Sequence, residues 1–359
     1  MKLAIVHDYL NQFGGAERCL VDLHEVFPDA PIYTAIYDPE KMPPVFREMK
    51  IVTSFMQRLP GIFKHFKKYL FLYPFAFSSF DLSKYDVILS SSSAFAKGVR
   101  KRPGQVHICY CYTPMRFVWR YDDYIKHEAL PGWLKRLLPL LMGPLKTWDL
   151  KTAGQVDRFI AISRLVAQRI KELYHRESDI IYPPVDCDLF QPTERSGDYF
   201  LVLSRLNAYK RIDLVIEAFN RLALPLKIAG DGPDRRRLES LSGPNVEFLG
   251  RLSDPAVKQM VAECRGLIFP GEEDFGIVPV EAMAAGRPVI AFRGGGALET
   301  IVEGETGLFF DEPTPESLIK AVEKFKRLTF DPRTVRARAL QFDRKIFKQR
   351  MAEYVEKNQ

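Results

Sequence analysis

Residues 269–292 place the strongest constraint on how this chain of 359 residues folds. Their sequence, FPGEEDFGIVPVEAMAAGRPVIAF, predicts a short strand, an acidic loop, a helix of about two turns and a second buried strand. Pro279 suits the first turn of the helix, where a missing N–H is harmless, and Gly286 suits its end. A strand, a helix and a second strand in this order favour an α/β fold with parallel sheets.

Two carboxylates enclose the predicted helix entrance. Glu273 lies in the acidic loop, and Glu281 is expected in the opening turn of the helix. The amides of Phe275, Gly276 and Ile277 stand at the entrance, where the first N–H groups of a helix lack intrahelical partners and attract anions. Carboxylates beside free amides can hold a sugar that is joined to a phosphate.

The same residues resemble the signature of family 4 glycosyltransferases, which are retaining enzymes with the two-domain GT-B fold. The resemblance rests on E-x7-E followed by A-M-A-A-G-R-P-V-I. It implies two Rossmann-like parallel-sheet domains that face each other across a cleft, and a last helix that crosses back to the first domain. The implied acceptor-binding domain comprises residues 1–184 with 341–359, and the nucleotide-sugar donor domain comprises residues 185–340.

Two cations follow the first predicted strand of the second domain. Arg205 and Lys210 flank a loop that precedes a predicted helix over residues 212–222, and cations at the carboxyl end of a strand suit a diphosphate. The surrounding S-R-L-N-A-Y-K-R resembles the family pattern G-R-L-x-x-x-K-G. The resemblance also implies that backbone groups around Arg251 and Leu252 contact the nucleobase.

A glycine turn follows the first predicted strand, residues 2–6, and precedes a helix predicted from Arg18. The turn contains Gly14 and Gly15 but lacks G-x-G-x-x-G, so it is not a dinucleotide fingerprint. Glycines here serve either the turn alone or the close approach of a ligand to the backbone. F-G-G-A-E resembles the family 4 loop that faces the interdomain cleft, which implies that Gly14 and Gly15 contact the donor nucleotide.

The segment Y-T-P-M-R-F-V-W, residues 112–119, resembles a family element that usually reads H-T-P-x-R-Y-x-W. Family members use the histidine to contact the donor sugar, so Tyr112 is the candidate residue here. A phenol donates one hydrogen bond, but its ordinary pKa of about 10 makes it a poor proton acceptor at neutral pH. Arg116 is expected to orient the acceptor or carbonyls at the sheet edge.

The net charge of +7 originates in one region. Residues 47–102 contain 11 Lys or Arg against three acidic residues, interleaved with aromatic side chains. Such a segment can contact an anionic membrane, cover a core helix with solvated charge, or bind nucleic acid; no common nucleic-acid motif is present. Residues 133–148, with Trp at both ends, fit an interfacial helix and a core helix equally well.

Composition sets further limits. Five scattered cysteines favour a reducing compartment. Cys109 and Cys111 lack a second pair of ligands at zinc spacing, and no D-x-D lies near the donor loops, so no metal and no cofactor is expected. No run reaches the roughly 20 apolar residues that cross a bilayer. We expect a cytoplasmic protein, peripheral on the inner face of the cell membrane.

These observations lead to one functional prediction. The resemblance implies a metal-independent retaining hexosyltransferase with catalytic residues Glu273, Arg205, Lys210 and Tyr112. Y-T-P-M-R-F-V-W is most similar to mannosyl-transferring members that make surface polysaccharides or lipid-linked glycans, which suggests transfer of mannose from GDP-mannose to a glycan or lipid-linked glycan. The alternatives are a non-catalytic or detuned membrane-associated protein that binds sugar nucleotides, and another nucleotide-sugar enzyme such as an epimerase.

Overall fold

The computed structural model describes residues 1–119, 132–195 and 197–359, and for residues 132–141 it describes the backbone alone. The segment 133–148 is helical, but the side chains of its first half, including Trp133, lie outside the described part. Trp148 packs against Phe95, with ring centroids 5.6 Å apart, so this end of the segment belongs to the protein interior.

The chain forms two compact units. The first contains Met1–Tyr182 and Phe347–Gln359, and the second contains Pro183–Ile346. Each unit is a Rossmann-like domain, because each holds one sheet whose paired strands all run parallel, with helices between the strands. The predicted α/β class with two parallel-sheet domains is confirmed.

The first unit contains a seven-stranded sheet in the order β3-β2-β1-β4-β5-β6-β7. Its strands are β1 Leu3–His7, β2 Ile32–Thr34, β3 Ile51–Thr53, β4 Val87–Ser92, β5 Val106–Cys111, β6 Arg158–Ala161 and β7 Ser178–Ile180. Its helices are α1 Gly15–Val26, α2 Ile62–His65, α3 Tyr73–Ser78, α4 Arg116–Trp119, α5 Gly132–Ala153 and α6 Arg164–Tyr174. Short 3-10 turns lie at Pro44–Arg47, Phe55–Arg58, Phe66–Leu72 and Ala96–Gly98.

The second unit contains a six-stranded sheet in the order β10-β9-β8-β11-β12-β13. Its strands are β8 Phe200–Leu203, β9 Leu226–Ala229, β10 Val246–Gly250, β11 Gly266–Phe269, β12 Val289–Phe292 and β13 Gly307–Phe310. Its helices are α7 Ile212–Leu222, α8 Arg235–Ser240, α9 Asp254–Glu263, α10 Ile277–Ala284, α11 Ala297–Thr300, α12 Pro315–Lys326 and α13 Pro332–Leu340, and the last helix, α14 Arg344–Lys357, begins here. The 3-10 turns are Cys187–Leu189 and Ala208–Lys210.

The predicted bounds of α7 are correct, whereas those of α1 are not. α7 has the predicted bounds, because its apolar residues recur at helical spacing and bury one face against the sheet. α1 begins at Gly15 rather than Arg18, because the Glu17 side chain accepts a hydrogen bond from the Gly14 N–H and so caps the helix three residues earlier.

Asp8 anchors the loop that follows β4. Its carboxylate accepts hydrogen bonds from the backbone N–H groups of Ser93, Ala94, Phe95 and Ala96, and from the Ser93 hydroxyl, at 2.7–3.0 Å. Only 3% of Asp8 is exposed. A buried carboxylate needs such donors to replace water, so Asp8 fixes the loop to the end of β1.

The last helix returns to the first unit, as predicted. The Phe347 ring packs edge-on against Tyr110, with centroids 5.7 Å apart, and the Tyr354 hydroxyl donates to Asp179 at 2.7 Å. Phe347 is almost fully buried. From Phe347 onward α14 is therefore part of the first hydrophobic core.

None of the helices in the described part of the chain combines the length and the apolar composition needed to cross a bilayer.

Candidate functional site

Lys210 and Glu273 form an ion pair at the carboxyl edge of the second sheet. Lys210 ends the 3-10 turn after β8, and Glu273 lies in the loop after β11. Because β8 and β11 are neighbours in a parallel sheet, the loops that follow them meet at the same edge. The Lys210 Nζ donates to Glu273 Oε1, and both side chains are partly accessible, at 13% and 28%. Two residues predicted for the site are thus brought together.

The backbone of Glu273 is fixed by the glycine loop after β12. The Gly296 N–H donates to the Glu273 carbonyl at 2.9 Å. A Cβ atom at Gly295 would lie 2.2 Å from that carbonyl oxygen, and one at Gly296 would lie 2.3 Å from the Phe275 Cα. Gly295 also has a φ of +63°, which favours glycine. Only glycines permit this contact, so the loop holds Glu273 in place.

The entrance of helix α10 has the predicted form. Gly276 precedes the helix with a φ of +87°, and the amides of Gly276 and Ile277 have no hydrogen-bond acceptor among the residues that the structure describes. Glu281 is the fifth residue of the helix and is 6% exposed, so it lies just past the opening turn in which it was expected. The helix begins at Ile277, directly after the left-handed Gly276 and two residues before Pro279. Phe275 is buried against Phe342.

Arg205 follows β8 on a loop that touches the turn after β9. A Cβ atom at Gly230 would lie 1.9 Å from the Ser204 carbonyl oxygen, and one at Gly232 would lie 2.4 Å from the Leu206 carbonyl oxygen. The backbone on both sides of Arg205 is therefore held by glycine contacts. The Arg205 side chain is exposed, and no carboxylate of the described residues pairs with it. It remains available for an anionic ligand.

Arg251 and Leu252 extend the same edge of the sheet. They follow β10, the outermost strand, and the Gly230 N–H donates to the Gly250 carbonyl at 2.7 Å, which ties the ends of β9 and β10 together. Arg251 is exposed and Leu252 is half-buried. Arg205, Lys210, Glu273, Arg251 and Leu252, which were predicted to contact the donor, thus all follow strands at one edge of the second sheet.

In the first unit, the glycine turn contains an internal cap. The Gly14 N–H donates to Glu17 Oε2 at 2.7 Å, and the Arg18 N–H donates to the Gly14 carbonyl at 3.0 Å. Gly15 is the exposed first residue of α1. Glu17, only 4% exposed, holds the turn from within.

Tyr112 is engaged by protein groups. Its hydroxyl donates to the Ala16 carbonyl at 3.1 Å and lies 2.9 Å from Ser91 Oγ. Burial raises the pKa of the phenol well above its usual value, and the neighbouring Cys19 thiol adds to the rise. The contact of Tyr112 with a donor sugar stays a prediction. Arg116, also predicted for the first domain, is the half-buried first residue of α4.

Three residues beside Tyr112 were missed by the sequence prediction. His7 ends β1, Ser91 lies in β4 and Glu17 lies in α1, and all three are buried. His7 Nδ1 lies 3.0 Å from Ser91 Oγ, and Nε2 lies 3.8 Å from Glu17 Oε1. For His7 and Ser91 the only local signal was that polar residues end otherwise apolar strands.

Comparison with known families defines the class of protein. Residues 13–189 match the family model described as Glycosyltransferase Family 4, and residues 190–339 match that described as Glycosyl transferases group 1. The two matches follow one another over most of the chain and divide it between the two domains. The chain belongs to these glycosyltransferase families.

Individual relatives agree with this assignment. "Uncharacterized glycosyltransferase MJ1178" of Methanocaldococcus jannaschii is 30% identical over 45% of this chain and 47% of that protein, so the match spans about half the length of this relative. "Alpha-1,3/1,6-mannosyltransferase ALG2" of Mus musculus is 28% identical over 87% of this chain and 84% of that protein. Anabaena HepE, solved in complex with UDP, has the same fold, with a TM-score of 0.74 at 18% identity over 99% of this chain and 100% of that chain.

The glycine contact behind Glu273 gives a stability prediction. We expect Gly295→Ala to lower the free energy of unfolding by more than about 3 kcal/mol, because left-handed strain of roughly 1–2 kcal/mol is added to a clash with the Glu273 carbonyl. Chemical denaturation measures the change.

Gly304→Ala is the matched control. Gly304 has a similar φ of +84°, but a Cβ atom there meets nothing within 4 Å. Gly304→Ala is therefore expected to lower the free energy of unfolding by the left-handed strain alone. Equal losses of unfolding free energy in Gly295→Ala and Gly304→Ala would contradict the inference that the glycine loop holds Glu273 in place.

Proposed function

We propose that this protein is a retaining, metal-independent hexosyltransferase, with a nucleotide-diphosphate sugar as donor and a glycan or lipid-linked glycan as acceptor. The observation that carries the proposal is the Lys210–Glu273 pair at the carboxyl edge of the second sheet. Because the chain belongs to glycosyltransferase families, we assign a role to each member of the pair. Lys210 would bind a phosphate of the donor, and Glu273 would accept hydrogen bonds from sugar hydroxyls.

Charge supports the assignment of the diphosphate. Arg205 and Lys210 would both donate to the phosphates and neutralise the charge that develops as the diphosphate leaves. An ammonium group has three N–H donors, so Lys210 can bind a phosphate while it keeps Glu273. The two side chains would supply what a metal ion supplies in other transferases, and for this reason we propose that no metal takes part.

The remaining donor contacts follow from the α10 entrance. Glu273 and the amides of Gly276 and Ile277 would bind the sugar and its phosphate. Glu281 would accept hydrogen bonds from the ribose hydroxyls, because a carboxylate has two oxygens for a diol. Arg251 and Leu252, on the outermost strand, would contact the nucleobase.

Mannose is the sugar that we propose first. Relatives across much of the chain length are named as alpha-1,3/1,6-mannosyltransferases, at 25–30% identity. Together with the Y-T-P-M-R-F-V-W segment, these names support GDP-mannose as donor. UDP-sugars are the competing donors, because the similar fold of HepE was solved with UDP and with UDP-glucose.

The reaction itself is tested at Lys210. We expect Lys210→Ala to lower turnover by about 100- to 1000-fold, comparable to the loss of one donor to a developing oxyanion. The assay follows transfer of mannose from GDP-mannose, and NMR of the product reads the anomeric configuration, which should be retained.

Lys227→Ala is the control for Lys210→Ala. Lys227 lies in the same sheet and pairs with Glu247 at 3.6 Å, but it is inside β9 rather than at its carboxyl end. It should remain near wild-type activity. Near wild-type turnover of Lys210→Ala, with nucleotide still bound, would refute the diphosphate assignment.

Nucleotide binding is tested at Glu281. We expect Glu281→Gln to weaken binding of GDP roughly tenfold or more in calorimetry, because hydrogen bonds to a charged group contribute about 1.5–3 kcal/mol. Glu305→Gln, at an exposed position of the same unit, should leave the affinity unchanged. An unaltered GDP affinity of Glu281→Gln would remove Glu281 from the ribose site, and tighter binding of UDP than of GDP by the wild type would favour a UDP-sugar.

We further propose that the first unit binds the cytoplasmic face of an anionic membrane, where a lipid-linked acceptor is found. All of the described phenylalanines that are strongly exposed lie in one segment, Phe55 at 46%, Phe71 at 42% and Phe75 at 65%. Phe71 and Phe75 are one helical turn apart in consecutive helices. Residues 49–80 contain five Lys or Arg and no acidic residue, and Lys64 and Lys68 are exposed without a carboxylate partner in the described part.

Vesicle flotation tests this partner. Wild-type protein should float with vesicles of phosphatidylglycerol and phosphatidylcholine, and Phe71→Ser with Phe75→Ser should reduce binding more than tenfold, since burial of each ring contributes about 1.5–3 kcal/mol. Leu241→Ser removes a 46% exposed side chain from the other unit and should have no effect. Failure of the wild type to float would exclude the membrane.

A further inference from the structure

A chain of hydrogen bonds crosses the carboxyl ends of three neighbouring strands in the first sheet. His7 and Ser91 are direct partners in the pairing of β1 with β4, and His7 Nδ1 lies 3.0 Å from Ser91 Oγ. Ser91 Oγ lies 2.9 Å from the hydroxyl of Tyr112, the residue after β5. The Tyr112 hydroxyl reaches the Ala16 carbonyl in α1 at 3.1 Å.

The carbonyl at the end fixes the direction of every bond. A carbonyl oxygen only accepts, so Tyr112 gives its single hydrogen to Ala16. The phenol oxygen must then accept from Ser91, which has one hydrogen to give. Ser91 in turn must accept from His7, and Nδ1 of His7 therefore carries a hydrogen.

The other side of His7 leads to the same turn. Its Nε2 lies 3.8 Å from Glu17 Oε1, and Glu17 Oε2 accepts the Gly14 N–H at 2.7 Å. His7, Ser91 and Glu17 are 2%, 0% and 4% exposed, so water does not replace these partners. Both branches from His7 thus end on the backbone of residues 14–17, one on a carbonyl and the other on an amide.

We propose that His7 and Ser91 are positioning residues that fix the conformation of the glycine turn at residues 14–17. They act through Tyr112 on the Ala16 carbonyl, and His7 also lies within ion-pair distance of Glu17, which holds the Gly14 amide. The importance of this turn for catalysis rests on the proposed function, together with a donor contact that its resemblance to the family 4 loop implies. Tyr112 is then part of the support of the turn, because its only hydrogen is directed at Ala16 rather than at a ligand.

Two substitutions of His7 separate the branches. In His7→Asn the side-chain amide nitrogen takes the place of Nδ1, so it keeps the donor to Ser91. In His7→Gln the amide takes the place of Nε2, so it faces Glu17 and leaves Ser91 without its donor. Tyr112→Phe removes the bond to Ala16 and keeps the ring.

Hydrogen exchange of the backbone gives a readout that does not need activity. Amides of residues 14–18 should exchange about tenfold faster in His7→Gln and Tyr112→Phe than in the wild type, with a smaller change in His7→Asn, because a buried hydrogen bond contributes about 1 kcal/mol. Amides of α7 serve as the internal reference. Unchanged exchange in both His7→Gln and Tyr112→Phe would overturn the proposal.

A second readout uses the wild-type protein alone. With all six histidines labelled with nitrogen-15, the Nδ1 resonance of His7, assigned by through-bond correlation from its ring to its backbone, should be of the protonated type. An unprotonated Nδ1 would overturn the bond directions, even if every variant failed to fold.

The kinetic consequence distinguishes the two proposals. If the protein transfers sugar, His7→Gln should raise the KM for the donor about tenfold. His7→Asn, which keeps the donor to Ser91, should have a donor KM closer to that of the wild type. Altered exchange with no transfer activity in the wild type would leave the positioning role intact and refute the proposed function. If the wild type transfers sugar and His7→Gln leaves the donor KM unchanged, the glycine turn does not take part in donor binding.

Discussion

The conformation of the proposed donor-side loops depends on close backbone contacts at glycines, which have no side chain. Gly230 and Gly232 lie against the loop that carries Arg205, and Gly295 and Gly296 lie against the loop that carries Glu273. Parallel strands bring these loops to one edge of the sheet, but only glycine lets them touch. Each loop that we propose to bind the donor is therefore supported by the loop of a neighbouring strand and does not have to order itself when a ligand arrives.

The Lys210–Glu273 pair contributes little to stability. Both side chains are partly accessible, and ion pairs in such surroundings contribute at most about 1 kcal/mol, because water screens the charges and long side chains lose entropy. Asp8 is the contrasting case, since it is buried and surrounded by donors from one loop. The Asp8 carboxylate therefore stabilises the fold, whereas the Glu273 carboxylate can exchange its partner.

The sequence predicted what depends on local pattern. The bounds of α7 follow from apolar spacing, and Lys210 and Glu273 follow from loop motifs after apolar strands. Their direct contact was not predicted, because it depends on the placement of β11 beside β8, which no local pattern determines. The hydrogen bonds of the Tyr112 hydroxyl were not predicted for the same reason, because Ser91 becomes its neighbour only through the register of β4 with β5.

The return of α14 to the first unit affects how the chain can be made. Phe347, Met351 and Val355 are buried in a unit whose other residues end at Tyr182, so that unit lacks three apolar side chains of its core until residues 347–355 have been synthesised. The second unit, Pro183–Ile346, is complete at that moment. The domain synthesised first is therefore the one that finishes folding last, and its long-range closure is the slow and exposed step of biogenesis.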